Sequence, residues 1–391
     1  MFEAKVPNVN ELADVIFSGL WDGPAGYSEI NRCMMRGFEA EGINVCLRSH
    51  RNPYRTKMRM SPADCAFFDV LQRRAPRHDA VFINSTIPHG FIDSRSGHRI
   101  GLTMFESIDT IPDLFRIFCN KQHELWLPSK MCVRAFKAGG VDQPIHRMPL
   151  GVDVERFRPG VEPYKLLADL PHGFRIGCNV GHSFRKGYDV LLRAYYEAFT
   201  SDDDVCLIYK GYYGGSDSPS AKERVMADLR EVKAEYGRRT DLPAVQVFAD
   251  CIDADEMPGF YTGLDVLCTM TRGEGFFMPG IEAMASGIPN IVPAAGAFRD
   301  FMDKDTTLFV EVDDCPIAGE QIKELCHLYD GLRFVEPSHE DCAVKLRWAF
   351  EHRDELRAMG QRARKVVAES WTWERANRRM AERLRVIFQG G

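Results

Sequence analysis

The chain has 391 residues and a formal net charge of −6. This length favours two domains of roughly 150 to 200 residues over a single one. A hydrophobic fraction of 45% excludes a disordered chain, and the net negative charge argues against a general nucleic-acid binder. The start of the chain carries Glu3, Glu11 and Asp14 and no long apolar run, so we expect neither a signal peptide nor a membrane-spanning helix.

The cysteines indicate a reducing compartment. Twelve of them are scattered along the chain without C-x-x-C spacing, and several lie inside apolar runs. This distribution is typical of reduced, buried side chains rather than of disulfides or zinc ligands. We therefore expect a cytoplasmic protein.

A glycine-rich segment near the start, SGLWDGPAGYSEINR (residues 18–32), joins a predicted strand to an amphipathic helix. In a functional interpretation, Gly23 and Gly26 let backbone N–H groups approach a ligand. A plain strand-to-helix turn explains the same residues. The segment lacks the full G-x-G-x-x-G pattern, which disfavours a nicotinamide dehydrogenase.

Strands and helices alternate through the first half of the chain. Helix SPADCAFFDVLQRR is predicted to begin after a Ser61 cap with Pro62 at its first position, and helix SKMCVRAFKAGG to run from Ser129 to Gly139. The predicted strands are NVCLRS, AVFINST, IGLTMF and ELWLPS. Such alternation predicts a parallel sheet wound with helices.

The stretch from Arg48 to Arg77 is locally basic, with eight basic residues against only Asp64 and Asp69. A solvated surface explains it as well as an anionic partner does. The partner would be a membrane surface or a phosphorylated acceptor.

Residues 150–173 hold three prolines and show no periodicity, so they are predicted to link two domains. A second alternating series follows, and the last forty residues are predicted to be helical with a break near Thr372. The strands of the second series are FRIGCNVG, DVCLIYKG, VQVFAD, DVLCTM and PNIVPA. The predicted fold class is therefore α/β, with two domains of similar construction.

The first strand of the second series ends at Gly181 and leads into a loop with His182, Arg185 and Lys186. Two adjacent cations at the carboxyl end of a strand suit a diphosphate. Arg-Lys-Gly is common in loops. The prediction of a diphosphate site therefore depends on the position of the loop, at the first strand-to-helix junction of its domain.

The segment TRGEGFFMPGIEAMASGIP (residues 271–289) leaves strand DVLCTM and enters a helix with Pro279 in its first turn. A helix N-terminus at this edge of an α/β sheet attracts anions, so we expect an anion beside residues 276–280. Glu274 and Glu282 lie eight positions apart, and carboxylates accept hydrogen bonds from vicinal hydroxyls. Taken singly, each glutamate is equally well explained as a solvated residue.

These residues resemble a known family. The run from Glu274 to Pro289 looks like the EGFG-x-P-x-x-E-A-M-A-x-G-x-P signature of retaining GT-B glycosyltransferases of the family 4 type. PLGVDVERFRP, RKGYDVLLRAY and WTWERANRR resemble the linker, the first donor-domain helix and the terminal helix of that family. Four motifs in the same order make the resemblance specific.

The resemblance implies a fold and its domain bounds. Two Rossmann-like domains would face each other across a cleft, and a C-terminal helix would return to the N-terminal domain. The acceptor domain would comprise residues 1–155 with the terminal helix 373–391. The nucleotide-sugar donor domain would comprise residues 156–372.

The resemblance also implies roles for the donor-domain residues. Glu282 would bind the ribose hydroxyls, Glu274 the hydroxyls of the donor sugar, and Lys186 the phosphates. His182 stands where the family has an arginine, so we expect Arg185 to supply the second charge. The other predicted donor-binding residues are Gly275, Phe276, Phe277, Met278, Pro279, Gly280, Gly181, His182, Lys210, Gly23 and Gly26.

One further departure and two acceptor candidates complete the comparison with that family. Phe277 stands where a glycine is common. Glu106, in GLTMFESID, is the predicted acceptor-side catalytic residue, with an ordinary helix cap as its other explanation, and His89 is a second candidate. We expect contacts to the nucleobase near VFADCIDADEM.

The predicted function is transfer of a hexose from a UDP- or GDP-sugar to a hydroxyl acceptor, by a retaining, metal-independent, front-face mechanism. The acceptor would be a glycan or a lipid-linked molecule, and no nucleic acid is expected as a partner. The enzyme would work in the cytoplasm or peripherally at the inner membrane face. The alternatives are a catalytically degenerate GT-B protein that binds nucleotide sugars and a sugar-nucleotide epimerase.

Overall fold

The computed structural model of the protein describes residues 7–23, 26–50, 60–94, 97–171, 173–213, 218–316, 328 and 331–390. It contains two compact units, residues 1–151 with 371–391 and residues 152–370. The division falls after Gly151, near the start of the predicted linker motif PLGVDVERFRP, and again directly before WTWERANRR.

The strands of both units are numbered together in chain order. They are β1 (Ala13–Gly19), β2 (Val45–Ser49), β3 (Pro76–Ser85), β4 (Arg99–Leu102), β5 (Glu124–Leu127), β6 (Ile145–Arg147), β7 (Phe174–Gly181), β8 (Val205–Tyr212), β9 (Ala244–Phe248), β10 (Val266–Cys268), β11 (Asn290–Pro293), β12 (Thr307–Val310), β13 (Val312–Pro316) and β14 (Arg333–Pro337).

The α-helices are numbered in the same way. They are α1 (Gly26–Ala40), α2 (Pro62–Arg73), α3 (Asp113–Cys119), α4 (Lys130–Ala138), α5 (Lys165–Ala168), α6 (Tyr188–Ala198), α7 (Pro219–Ala234), α8 (Met257–Thr262), α9 (Met278–Ala285), α10 (His339–Glu351), α11 (Arg353–Ser370) and α12 (Trp373–Gly390).

The amino-terminal unit is built on a parallel sheet in the order β2-β1-β3-β4-β5-β6. Its predicted helix caps are confirmed. The Ser61 side chain accepts a hydrogen bond from Asp64 N, and the Ser129 side chain accepts one from Cys132 N. Each bond satisfies a backbone donor that the first helical turn leaves unpaired.

The terminal helix α12 belongs to this unit. Gly37 on α1 has no room for a side chain, because a Cβ atom there would lie 1.8 Å from Asn377 Nδ2 on α12. The buried Asn377 amide donates to Cys33 O across 3.2 Å. Arg383 of the same helix forms an ion pair with the buried Glu124. The break predicted near Thr372 thus separates α11, in one unit, from α12, in the other.

The carboxyl-terminal unit contains a second parallel sheet, in the order β12-β11-β10-β7-β8-β9, and the antiparallel pair β13-β14. One face of the sheet packs against α6, α7 and α10 through apolar residues such as Ile176, Leu191 and Leu346. Since β7 and β10 are neighbours, the loops that follow them lie side by side at the carboxyl edge of the sheet. The fold class predicted from the sequence is confirmed.

The predicted linker is not an open connection. Phe157 is buried, and Arg364 on α11 donates to Phe157 O at 3.1 Å and to Val154 O at 2.9 Å. The short helix α5 also lies in this stretch, and Tyr164 N donates to Gly259 O. Most of residues 150–173 therefore packs onto the carboxyl-terminal unit. The sequence did not predict this packing, because residues 150–173 show no periodic pattern of apolar residues.

Within the described part of the chain, no helix combines the length and the apolar character needed to cross a bilayer.

Substitutions in the ion pair between Arg74 and Glu39 test how much this pair contributes to the stability of the amino-terminal unit. Both side chains are buried, and Glu39 also accepts from Val45 N at 2.6 Å. We expect Glu39→Leu to lower the free energy of unfolding by about 3 to 5 kcal/mol, because it leaves a buried, unpaired guanidinium. Urea unfolding at pH 7 measures this change.

The double variant Glu39→Leu/Arg74→Met should recover part of that loss, since no unpaired charge remains. Asp113→Asn, in an exposed pair with Arg116, is the matched control and should change stability little. A double variant less stable than the Glu39→Leu single variant would contradict the prediction.

Candidate functional site

The loop after β7 is held in one conformation by Gly187. This residue has φ +64°, and a Cβ atom there would lie 1.7 Å from Met270 O. Both facts require glycine. Gly187 ends the short 3-10 turn of residues 184–186 and precedes α6. The backbone of Arg185 and Lys186 is thus held between the end of β7 and the start of α6.

The structure brings together three residues that the sequence predicted as a site. Lys186 Nζ lies 2.5 Å from Glu274 Oε1, and Arg185 Nη1 lies 3.9 Å from Glu274 Oε2. Arg185 Nη1 also donates to Gly273 O at 2.6 Å. The side chain of Glu274 is 10% exposed. Two cations and one carboxylate therefore share a largely desolvated position, where electrostatic interactions are strong.

Sequence reasoning missed Arg272, which joins the two loops. Its guanidinium is 3% exposed, lies 2.9 Å from both oxygens of Asp189, and lies 2.6 and 2.7 Å from the oxygens of Glu336. It also donates to Phe184 O at 2.6 Å and stacks on the Phe184 ring, with 3.7 Å between Cζ and the ring centroid. Arg272 thus fixes the turn that carries Arg185 and Lys186.

The charges around Arg272 are mutually compensated. Burial by itself would raise the pKa of Asp189, but the hydrogen bonds and charge of Arg272 hold it below its ordinary value. The one sequence signal for Arg272 was a charged residue directly after an apolar strand and before Gly-Glu. That signal does not identify its partners, since Asp189 and Glu336 are distant along the chain.

Phe277 has an unusual backbone. Its φ is +86° and its ψ +67°, and among the described residues it is the one non-glycine with positive φ. This left-handed conformation costs a non-glycine residue of the order of 1–2 kcal/mol. The Phe277 ring is 3% exposed and packs edge-to-face on Phe298, with 5.7 Å between centroids. Packing therefore offsets the strain at the position where the family commonly has glycine.

Gly280 makes room for that ring. A Cβ atom at residue 280 would lie 2.3 Å from Phe277 Cδ1 and 2.7 Å from Met302 Cε. Phe276, the neighbouring aromatic residue, is also buried and lies 5.3 Å from Phe301 between ring centroids. The predicted donor-binding residues Phe276 and Phe277 thus shape the backbone of the loop through packing.

Helix α9 begins at Met278, directly after this loop, with Pro279 in its first turn. Proline is tolerated there because the first N–H groups of a helix have no partner within the helix. The first turn places its remaining N–H groups and positive partial charge next to Glu274 and Gly275, and Glu274 contacts the loop that carries Arg185 and Lys186, here called the cationic loop. An anion is favoured at this position.

Glu282, on α9, is the end of a hydrogen-bonded chain. Tyr261 donates to Glu282 Oε2 at 2.7 Å and accepts from Asn179 Nδ2 at 2.9 Å. Burial and the nearby carboxylate hold the pKa of Tyr261 far above its ordinary range, so its hydroxyl remains a donor. Tyr261 and Asn179 orient the carboxylate, and neither was predicted. The predicted residue Lys210 lies on β8, aligned with Asn179 on β7.

The ring of His182, a predicted donor-binding residue, lies inside the carboxyl-terminal unit. Its ring is buried, with Nδ1 at 2.7 Å from the Tyr209 hydroxyl and Nε2 at 3.0 Å from Asp228 Oδ2, and it lies against Tyr188. Its backbone N–H continues the sheet by bonding to Tyr212 O. The side chain therefore packs between β8, α6 and α7, with both ring nitrogens bonded within the protein. Gly181, just before it, ends β7 as predicted.

The other predicted residues belong to the amino-terminal unit. Gly26 begins α1 and is exposed, while Gly23 is buried and its carbonyl accepts from Arg32. Glu106 is half-buried in the loop after β4 and does not cap a helix, because α3 begins later with Pro112 at its cap. His89 lies exposed in a 3-10 turn, with 5.8 Å between its ring centroid and that of Phe115.

Not all of the basic side chains between Arg48 and Arg77 lie at the surface, although the sequence had suggested that they do. Residues 51–59, which hold half of its basic side chains, lie outside the described residues. Arg74 is buried in the ion pair with Glu39, so it presents no charge to a partner. Arg48, Arg73 and Arg77 remain at the surface.

Comparison with protein families agrees with this geometry. Residues 175–327 match the family model of glycosyl transferases group 1. The matched range contains the cationic loop, the Glu274 loop and α9. It covers the greater part of the carboxyl-terminal unit.

Several curated proteins are similar to the chain. A GDP-mannose-dependent monoacylated alpha-(1-6)-phosphatidylinositol monomannoside mannosyltransferase of Corynebacterium glutamicum is 27% identical over 306 residues, which cover 76% of this chain and 69% of the relative. A GDP-mannose-dependent alpha-(1-6)-phosphatidylinositol monomannoside mannosyltransferase of Mycobacterium tuberculosis is 25% identical over 305 residues, covering 75% of this chain and 68% of the relative.

Solved structures share the fold over nearly the whole chain. Anabaena HepE in complex with UDP-glucose superposes with a TM-score of 0.66 at 13% identity, covering 95% of this chain and 99% of the other. Sucrose-phosphate synthase from Thermosynechococcus elongatus gives a TM-score of 0.64 at 14% identity, covering 96% of this chain and all of the other. These likenesses show the fold.

Replacing Phe277 by alanine in one variant and by glycine in another tests the strain of its backbone. Both Phe277→Ala and Phe277→Gly lose the packing of a buried ring, which costs about 3 to 5 kcal/mol. We expect the glycine variant to be more stable than the alanine variant by about 1 kcal/mol, because only glycine adopts positive φ without strain. Denaturant unfolding measures the difference between the two variants.

Met284, buried in the ordinary helical backbone of α9, is the matched control. There the order should reverse, with Met284→Ala more stable than Met284→Gly by about 1 kcal/mol. An alanine variant at residue 277 at least as stable as the glycine variant would contradict the assigned conformation.

Proposed function

Because the chain has the fold of GT-B glycosyltransferases and matches the family model of glycosyl transferases group 1 over residues 175–327, we propose that it transfers a hexose from a nucleoside diphosphate sugar to a hydroxyl acceptor with retention of the anomeric configuration. The observation that carries the proposal is the convergence of Lys186, Arg185 and Glu274 beside the first turn of α9. Positive charge for a leaving diphosphate and an acceptor for sugar hydroxyls meet there.

The diphosphate would bind between the cationic loop and α9. Breaking the bond between the anomeric carbon and the diphosphate leaves negative charge on the β-phosphate oxygens. Lys186, Arg185 and the N–H groups of the helix would stabilise that charge without reorganising, because Gly187 and Arg272 already fix the loop.

The two glutamates would hold the hydroxyls on either side of the diphosphate. Glu282, oriented by Tyr261, would accept hydrogen bonds from the ribose diol. Glu274 would accept from hydroxyls of the donor sugar, with Lys186 orienting its carboxylate. Two oxygens per carboxylate suit a pair of neighbouring hydroxyls.

The donor we propose to test first is GDP-mannose. Two of the similar proteins are named as GDP-mannose-dependent mannosyltransferases. Their names also mention phosphatidylinositol monomannosides, so a lipid-linked hydroxyl is a suitable acceptor to test. The surface arginines at residues 48, 73 and 77 would contact the anionic headgroups around it.

In the proposed front-face mechanism the acceptor oxygen attacks the anomeric carbon on the side from which the diphosphate leaves. The new bond from carbon to the acceptor oxygen replaces the bond to the phosphate oxygen, and the acceptor proton passes to the departing phosphate. Glu106, in the loop after β4, would orient the acceptor. The retained configuration of the product, measured by NMR of its anomeric proton, tests this mechanism.

The degenerate alternative rested on the missing arginine and on Phe277. Arg185 lies within 4 Å of Glu274, and Gly280 accommodates the Phe277 ring. Each departure from the family pattern thus has a compensating residue, which supports an active enzyme.

Substitutions at Lys186 and Glu274 test whether these residues are needed for turnover of the donor. We expect Lys186→Met and Glu274→Gln each to reduce turnover of the donor by at least about a hundredfold, because each removes a group that contacts the developing charge or the transferred sugar. Product formation from GDP-mannose and from other nucleotide sugars, with glycan and lipid-linked acceptors, measures the effect.

Lys233→Met, at an exposed lysine of the same unit, is the matched control and should retain normal turnover. Thermal unfolding should show that all variants are folded. Near-normal turnover in both site variants would refute the assignment of the site. Binding of nucleotide sugar without any turnover in the unmodified protein would favour the degenerate alternative.

Metal independence is a separate prediction. Since Lys186, Arg185 and α9 supply positive charge for the diphosphate, we expect turnover to survive dialysis against EDTA and to gain little from added Mg²⁺ or Mn²⁺. Loss of turnover on chelation, with recovery on adding either ion, would overturn it.

A further inference from the structure

Lys210 is a buried lysine at the carboxyl end of β8. It is 5% exposed, and its strand position aligns with Asn179 of β7 and Phe248 of β9. Aligned residues of a parallel sheet point to the same face. Lys210 therefore shares the face on which Asn179 contacts Tyr261, and Tyr261 contacts Glu282.

The ammonium group of Lys210 has no compensating acceptor in the part of the chain that the structure describes. Its recorded neighbour is the Tyr212 ring, with 5.0 Å between Nζ and the ring centroid. Burial lowers the pKa of Lys210 to about 8, although the Cys251 thiol and the Glu282 carboxylate act in the opposite direction. A buried cation without an acceptor is costly, which suggests that a ligand completes its interactions.

The order of the strands indicates which part of the donor reaches Lys210. The groups proposed for the sugar and diphosphate follow β10 and β7, and Glu282 on α9 is linked through Tyr261 to Asn179 on β7. Next in the sheet come β8 and β9, with Lys210 at the end of the first and Cys251 in the loop after the second. In a nucleoside diphosphate sugar the base is likewise joined to the ribose on the side away from the phosphates.

We propose that Lys210 recognises the nucleobase, by donating a hydrogen bond from Nζ to a carbonyl oxygen on the base, O6 of guanine or O4 of uracil. This inference rests on the proposed function and names a determinant of donor specificity within it. Adenine and cytosine carry an amino group at the corresponding position. Two donors would then face each other, and the buried ammonium would stay unpaired.

Matched pairs of nucleotides test the proposal. Isothermal titration at pH 7 would compare IDP with ADP and UDP with CDP, since each pair differs chiefly in carbonyl against amino at one position. We expect the unmodified protein to favour the carbonyl member of the pair that fits its base site by tenfold or more. Lys210→Met should bring that ratio close to one, chiefly by weakening binding of the carbonyl member.

Further measurements make the result specific. Lys210→Gln keeps an N–H donor and should retain part of the preference, and Lys233→Met should retain all of it. Glu282→Gln should weaken both members of a pair equally. In the unmodified protein the affinity for the carbonyl nucleotide should fall as pH rises through about 8, where the ammonium loses its proton. Lys210→Met should lack this dependence.

The outcomes distinguish the inference from the proposed function. Equal weakening of all nucleotides by Lys210→Met would show that Lys210 contacts ribose or phosphate, and unchanged binding would show a role in packing alone. Either result overturns the inference and leaves the proposed function intact. Failure of the unmodified protein to bind any nucleoside diphosphate or nucleotide sugar would refute both.

Discussion

The carboxyl-terminal unit depends on the buried guanidinium of Arg272. It connects the loop after β10 to Asp189 at the start of α6, to the Phe184 carbonyl in the preceding turn and to Glu336 on β14. Without these bonds the turn carrying Lys186 would be a surface loop of ordinary mobility. The buried network thus converts two neighbouring loops into one rigid edge, which a site for a charged ligand requires.

The same edge stores strain at one residue. Phe277 adopts a left-handed backbone that directs the chain into α9, and its ring occupies the space left by Gly280. A glycine at 277 would reach this backbone without strain but would leave the ring's volume unfilled. Packing of the Phe277 ring thus offsets the strain of its backbone. The N-terminus of α9 remains beside Glu274.

Charge is distributed unevenly among the buried groups of this unit. Arg272 is compensated by two carboxylates, and Lys186 by Glu274. Lys210 has no hydrogen-bond acceptor among the described residues, and the nearby Glu282 carboxylate offsets only part of the effect of burial on its pKa. Fully paired charges serve the architecture, whereas a buried charge without an acceptor lowers stability and is best explained by what it binds. Donor specificity and catalysis would then depend on different strands of one sheet.

The sequence by itself determined the alternation of strands and helices, the caps at Ser61 and Ser129, and the meeting of Arg185, Lys186 and Glu274. These follow from local patterns and from the rule that loops gather at the carboxyl edge of a parallel sheet. Only the tertiary structure decided that the His182 ring points inward, that Arg74 is buried, and that Arg272 and Tyr261 orient the site. Those outcomes depend on partners remote in the chain, such as Asp228, Glu39 and Glu336, and no local pattern specifies a contact between distant residues.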